Sequence, residues 1–153
     1  MVSKVVGEGT YGCVLKPSLE CNAKQVNYKD KVSKVMLDYD AGKESEEYKN
    51  IAKFEELYKY AIVGPELCKP KLDTKFDKSV SKCKNETVKR TFLKNKNSLS
   101  LLILQDGGIS LYDYFKLVFL KQTRNEQKIF LISIINLIDG LIFFRKNKIM
   151  HRD

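Results

Sequence analysis

Three short stretches near the start of the chain, 2–6, 13–15 and 31–36, are rich in β-branched and other apolar residues. Gly, Pro and polar positions separate them, a pattern that predicts the strands of an antiparallel meander. The period then changes. Over 45–60, Glu47, Ile51, Phe54 and Tyr58 recur at helical spacing, and the Glu-rich opening turn suits the positive end of a helix dipole. A short apolar run at 101–104 predicts a buried strand, stopped by Asp106-Gly107-Gly108. Beyond it, 111–118 and about 125–144 read as helices. The second is apolar nearly all round, from Ile129 through Ile135 and Leu141 to Phe144, so it is expected to be surrounded by protein and implies a larger body of structure on its C-terminal side. Its longest apolar stretch, 129–144, is interrupted by Asn136 and Asp139 and is shorter than the roughly 20 residues that span a bilayer. The expectation is a soluble α+β protein with no membrane partner.

Composition narrows the class. At 153 residues, 43% hydrophobic and 31% charged, the chain reads as globular, which excludes disordered and collagen-like classes. No charged leader precedes an apolar run at the start, so an intracellular protein is expected. Cys13, Cys21, Cys68 and Cys83 form no C-x-x-C pair, and a single His cannot complete a zinc site of ordinary spacing, so free thiols and no metal site are expected. Without export, the Asn85-Glu86-Thr87 sequon has no role. Charge is uneven: 69–97 holds ten Lys or Arg against three acidic residues and supplies +7 of the net +9. This least periodic part is expected to be a solvated, mobile insertion. The alternative is a nucleic-acid or other polyanion surface running from Lys69 to Lys96, with only Phe76 and Phe92 available to stack on bases.

The chemistry begins with Gly7-Glu8-Gly9-Thr10-Tyr11-Gly12-Cys13-Val14, which fits G-x-G-x-x-G-x-V. Glycines let such a turn bring backbone N–H groups against phosphates without Cβ obstruction. The turn runs into Cys13-Val14-Leu15-Lys16-Pro17, a strand rather than the helix of a dinucleotide fold, and no G-K-[ST] completes a P-loop. In Val32-Ser33-Lys34, strand alternation puts Val32 and Lys34 on one face, able to hold both an adenine ring and a cation for phosphate. Lys31 is the rival cation, but its same-face neighbour is Lys29, a poor wall for a base. A half-buried lysine needs a carboxylate, and Glu44, Glu46 and Glu47 are on offer. Helical spacing selects Glu47, four residues before Ile51. Finally, Met150-His151-Arg152-Asp153 comes after the apolar helix.

Taken in order, these motifs resemble the N-terminal part of a eukaryotic-type protein kinase of the Ser/Thr kind, and the resemblance covers the whole chain. It implies an α+β kinase-like fold: an N-lobe over 1–104 with a basic insertion at about 69–97, a hinge at 105–108, and the start of a C-lobe over 109–153, truncated at the catalytic loop. It further implies that Gly7, Gly9, Thr10, Tyr11 and Gly12 cover ATP, that Val14 and Val32 sandwich the adenine, and that Lys34 holds the α- and β-phosphates with Glu47 as partner. Leu104 would be the gatekeeper, Gln105, Asp106 and Gly107 the hinge facing the adenine edge, and Asp153 the acceptor of the substrate proton. Ile51 and His151 would pack between lobes and Arg152 would meet an activation-loop phosphate. The run Gly-Thr-Tyr-Gly-Cys-Val-Leu-Lys-Pro is similar to kinases of large DNA viruses. Departures are Val32-Ser33-Lys34 where V-A-I-K is usual, Gln105 where glutamate is common, and the long basic insertion. The family's Mg2+ ligands, the loop asparagine and the D-F-G aspartate, fall past Asp153, so this polypeptide alone is expected not to catalyse while its parent phosphorylates Ser/Thr hydroxyls of a protein substrate. The alternatives are a pseudokinase that only binds nucleotide and a basic nucleic-acid-binding protein.

Overall fold

The computed structural model describes residues 2–62 and 64–149. The chain divides into two units, one drawn from 1–53 and 62–106, the other from 54–61 and 107–153. Residues 54–61, which the sequence groups with 1–104, therefore belong with the second unit.

The first unit is built on a five-stranded antiparallel sheet in the order β1-β2-β3-β5-β4. Its strands are β1 (Lys4–Gly9), β2 (Gly12–Lys16), β3 (Lys31–Leu37), β4 (Glu66–Cys68) and β5 (Leu99–Gln105). Helix α1 (Asp38–Ile51) follows β3 directly, and α2 (Thr74–Val80) and α3 (Glu86–Lys94) lie between β4 and β5. The longest pairing joins β3 to β5, from Lys31 opposite Gln105 to Leu37 opposite Leu99. Strand β5 is apolar almost without alternation because both of its faces are covered. On one face Cys13, Leu15, Val35, Leu99, Leu101 and Ile103 pack with Phe76, Val80 and Val88 of α2 and α3. On the other, Met36 and Leu102 pack with Ala41 of α1.

The basic segment is not the loose insertion its composition predicts. Asp73 caps α2 by accepting from the Phe76 N–H, and Asn85 caps α3 by accepting from the Val88 N–H. Phe76, Val80 and Val88 are buried, so the segment supplies part of the core. Five of its cations are ion-paired: Lys69 with Asp38, Lys71 and Lys75 with Glu20, Arg90 with Glu86 and Lys96 with Asp77. Pairs of such exposure contribute at most about 1 kcal/mol each, so apolar burial, not charge, seats the segment.

All four cysteines are paired, Cys13 with Cys83 and Cys21 with Cys68, which corrects the expectation of free thiols. Sequence cannot show this, because the partners are 70 and 47 residues apart and meet only when the basic segment folds onto the sheet. Disulfides persist in oxidising surroundings, so cysteine content no longer supports an intracellular location.

Helix α1 also differs from expectation, running Asp38–Ile51 rather than 45–60. It begins as soon as β3 ends, with Asp38 and Asp40 in the first turn and Asp38 accepting from the Ser100 hydroxyl. A separate 3-10 turn at Glu55–Lys59 accounts for the remaining helical spacing.

In the second unit, Ser110 caps α4 (Leu111–Leu117), and Thr123 with Glu126 forms a capping box at the start of α5 (Arg124–Ser133). A turn at Ile134 leads into α6 (Ile135–Lys146). The rings of Tyr114, Phe115, Phe119 and Phe130 cluster, Tyr114 and Phe130 stacked at 4.5 Å. Gly140 lies under Tyr60, where an added Cβ would come within 3.2 Å of the ring. The apolar surface of α5 and α6 is otherwise exposed, Ile129 and Leu141 each by 67%. Among the described residues, one helical run, Arg124–Lys146, is long and apolar enough by length and composition to cross a membrane, although the apolar stretch within it is shorter. A core helix of a soluble protein passes the same measure. We expect this surface to bind a polarity-sensitive dye, and Ile138→Lys with Leu141→Lys to abolish most of the fluorescence gain; unchanged fluorescence would locate the dye elsewhere.

Candidate functional site

The glycine motif forms the tip of the β1–β2 hairpin. Gly9 pairs with Gly12 and Gly7 with Val14, leaving Thr10 and Tyr11 exposed at the turn, with a register shift between Val5 and Gly7. The three glycines differ physically. A Cβ on Gly12 would sit 2.3 Å from the Val35 carbonyl oxygen and 2.9 Å from Met36 Cγ, so the sheet itself requires glycine there. A Cβ on Gly7 would meet Val14 at an ordinary 3.7 Å, and one on Gly9 would have nothing within 4 Å. Neither has the positive φ that would call for glycine. The fold leaves room at both positions for something other than a side chain.

Register gathers the predicted side chains onto one face. Val14 lies opposite Lys34, Lys34 opposite Leu102, and Val32 opposite Leu104. Strand alternation puts all five on the α1 side of the sheet and sends Lys31 to the other. Val32 is buried, while Val14 and Leu104 are partly open. Gln105, the last residue of β5, is exposed, as is Gly107 after it. The end of that strand is tied down by an ion pair between Lys16 and Asp106 and by the Asp106 N–H donating to the Asp30 carbonyl at 2.9 Å.

Lys34 Nζ donates to Glu44 Oε2 at 2.6 Å, with both side chains about four-fifths covered (22% and 21% exposed). Glu44, not Glu47, is therefore the carboxylate of Lys34, and Glu47 is exposed on the solvent side of α1, as is Glu46. The helix runs from Asp38 to Ile51, and its inward stripe is Ala41, Glu44, Ser45 and Tyr48 rather than the row through Glu47 and Ile51, which continues into a separate 3-10 turn. The acidic pair Asp38 and Asp40 is the signal that marks the true first turn. Burial first, and the Glu44 carboxylate second, push the Tyr48 phenol above its ordinary value.

Two open depressions mark the first unit. One of about 700 Å³, lined by residues such as Glu20, Asn22, Lys24 and Tyr28, includes none of the predicted site. The other, about 310 Å³, is lined by Val5, Val6, Gly7, Glu8, Lys82 and Lys84, and so reaches the outer side of the glycine strand. The predicted proton acceptor Asp153, with His151 and Arg152, lies outside the described residues. No family model, no curated protein and no solved structure matches this chain.

Proposed function

We propose that this chain holds ATP as the nucleotide-binding part of a protein kinase that transfers the γ-phosphate to Ser or Thr hydroxyls. The observation that carries the proposal is the Lys34–Glu44 pair, set on the same sheet face as Val14, Val32 and Leu104 and directly opposite the strand that leaves the glycine turn. An apolar patch beside a fixed cation suits a molecule that is a flat ring at one end and a polyanion at the other. Glu44 holds the ammonium in place, the N–H groups of the turn supply further donors, and the space at Gly7 and Gly9 lets phosphate approach the backbone. The antiparallel sheet with one helix between β3 and the next strand supports the same family. Exposed Gln105 offers backbone groups to the ring edge. Mg2+ carried with ATP would neutralise phosphate charge during transfer. The nucleic-acid alternative is weakened by the five cations of the basic segment already engaged with carboxylates.

Calorimetric titration of this chain with MgATP tests the proposal. Losing one charge-assisted contact to phosphate should weaken binding about tenfold or more in Lys34→Met. Glu44→Gln should do so by about fivefold, since the lysine loses its anchor, and Glu47→Gln should leave affinity unchanged. Equal affinities for all four proteins, or a loss confined to Glu47→Gln, would overturn the site.

A further inference from the structure

The segment between β4 and β5 reaches the glycine hairpin at three neighbouring residues. Cys83 is disulfide-bonded to Cys13, the Lys84 N–H donates to the Glu8 carboxylate, and the Asn85 Nδ2 donates to the carbonyl oxygens of Gly9 at 2.8 Å and Thr10 at 3.1 Å. The other end of the Asn85 amide is engaged too: its Oδ1 accepts from the Val88 N–H at 3.0 Å and caps α3. An amide carries donors on nitrogen and acceptors on oxygen, so two carbonyls on one side and an N–H on the other fix its orientation. No other side chain of this size serves both partners. Aspartate keeps the cap but lacks the donor, and serine lacks the reach.

Peptide planarity turns this contact into control of the turn. In a trans peptide the C=O and the following N–H point in opposite directions. Drawing the Gly9 and Thr10 carbonyls toward Asn85 therefore directs the Thr10 and Tyr11 N–H groups away from it. Without that hold, peptides beside a glycine with open space around it can rotate and present oxygen where a phosphate needs hydrogen. We infer that Asn85 is a positioning residue of the phosphate-binding turn, setting which side of the hairpin its N–H groups face. The inference rests on the nucleotide proposal above for the identity of the ligand, and on the hydrogen bonds alone for the clasp.

Asn85→Asp is the informative variant, because it retains the cap oxygen of α3 and replaces the donor with an acceptor facing two carbonyls. Asn85→Ser is the companion, keeping a shorter cap without charge. Three readouts are taken on the whole chain: affinity for MgATP and for adenosine, the thermal midpoint, and hydrogen exchange of the Lys84 amide, which donates to Glu8 where the segment meets the hairpin. The expected result is a midpoint lowered by only a few degrees in Asn85→Asp, about tenfold weaker MgATP binding, unchanged adenosine binding, and faster exchange of the Lys84 amide in both variants. Parent-like MgATP affinity, or equal losses for MgATP and adenosine, would overturn a role in phosphate positioning. A parent chain that binds neither ligand would overturn the nucleotide proposal. Exchange then decides the clasp separately: faster exchange in the variants upholds it, and parental rates overturn it.

Discussion

Reduction of the two disulfides is expected to remove about 7 kcal/mol of folding stability, the largest effect of any single treatment on this chain. The chain-entropy model gives about 4 kcal/mol for either bridge alone, because each closes a long loop, with partners 70 and 47 residues apart. The loops are nested, the 21–68 bridge inside the 13–83 bridge, so the second closure adds less than it would alone. Cys13 and Cys83 are 0% and 2% exposed, so a thiol reductant reaches them only when the 81–85 segment opens. Urea unfolding with and without reductant, and of the Cys13→Ser, Cys83→Ser and Cys21→Ser, Cys68→Ser pairs, measures these terms. Each pair should lower the midpoint without much change of core packing. Four free thiols by mass spectrometry of the native protein, or identical midpoints in reductant, would show that the bridges do not form.

The glycines should separate by purpose when each is changed to alanine. Gly12→Ala is expected to cost about 3 kcal/mol or more, since its Cβ would strike the Val35 carbonyl oxygen at 2.3 Å and a backbone atom of a paired strand has little freedom to retreat. Gly7→Ala and Gly9→Ala should leave stability unchanged or raise it by about 0.5 kcal/mol, because alanine restricts the unfolded chain and meets no clash in the folded one. Those two variants should nonetheless bind MgATP about tenfold more weakly, the methyl occupying space a phosphate would use. Thermal melts and titrations on the same preparations decide it. Undiminished affinity in both would mean that Gly7 and Gly9 serve no ligand, and a parent-like melt for Gly12→Ala would contradict the strand spacing.

The sheet and the hairpin are legible in the sequence because their signals are local. Alternation places Val32 and Lys34 together, the apolar run marks β5, and the glycine spacing marks a turn between strands. The basic segment is misread from sequence because composition outweighs pattern. Its charge hides Asp73 and Asn85, each three residues before an apolar position, which are cap signatures for α2 and α3. The carboxylate is misread because the row Glu47, Ile51, Phe54 and Tyr58 crosses two elements: α1 ends at Ile51 and Tyr58 lies in a separate 3-10 turn, so this spacing does not mark the inward face of α1, which carries Glu44.

By itself the sequence determined which segments alternate, where the glycine turn lies and which lysine shares a strand face with an apolar wall, since these depend on neighbours a few residues apart. Only the tertiary structure decided that Glu44 meets Lys34, that the four cysteines pair, and that Asn85 grips the Gly9 and Thr10 carbonyls. Those partners are 10 to 76 residues apart in the chain. Their meeting is set by how whole helices seat on the sheet, a packing outcome that no periodicity within either segment encodes.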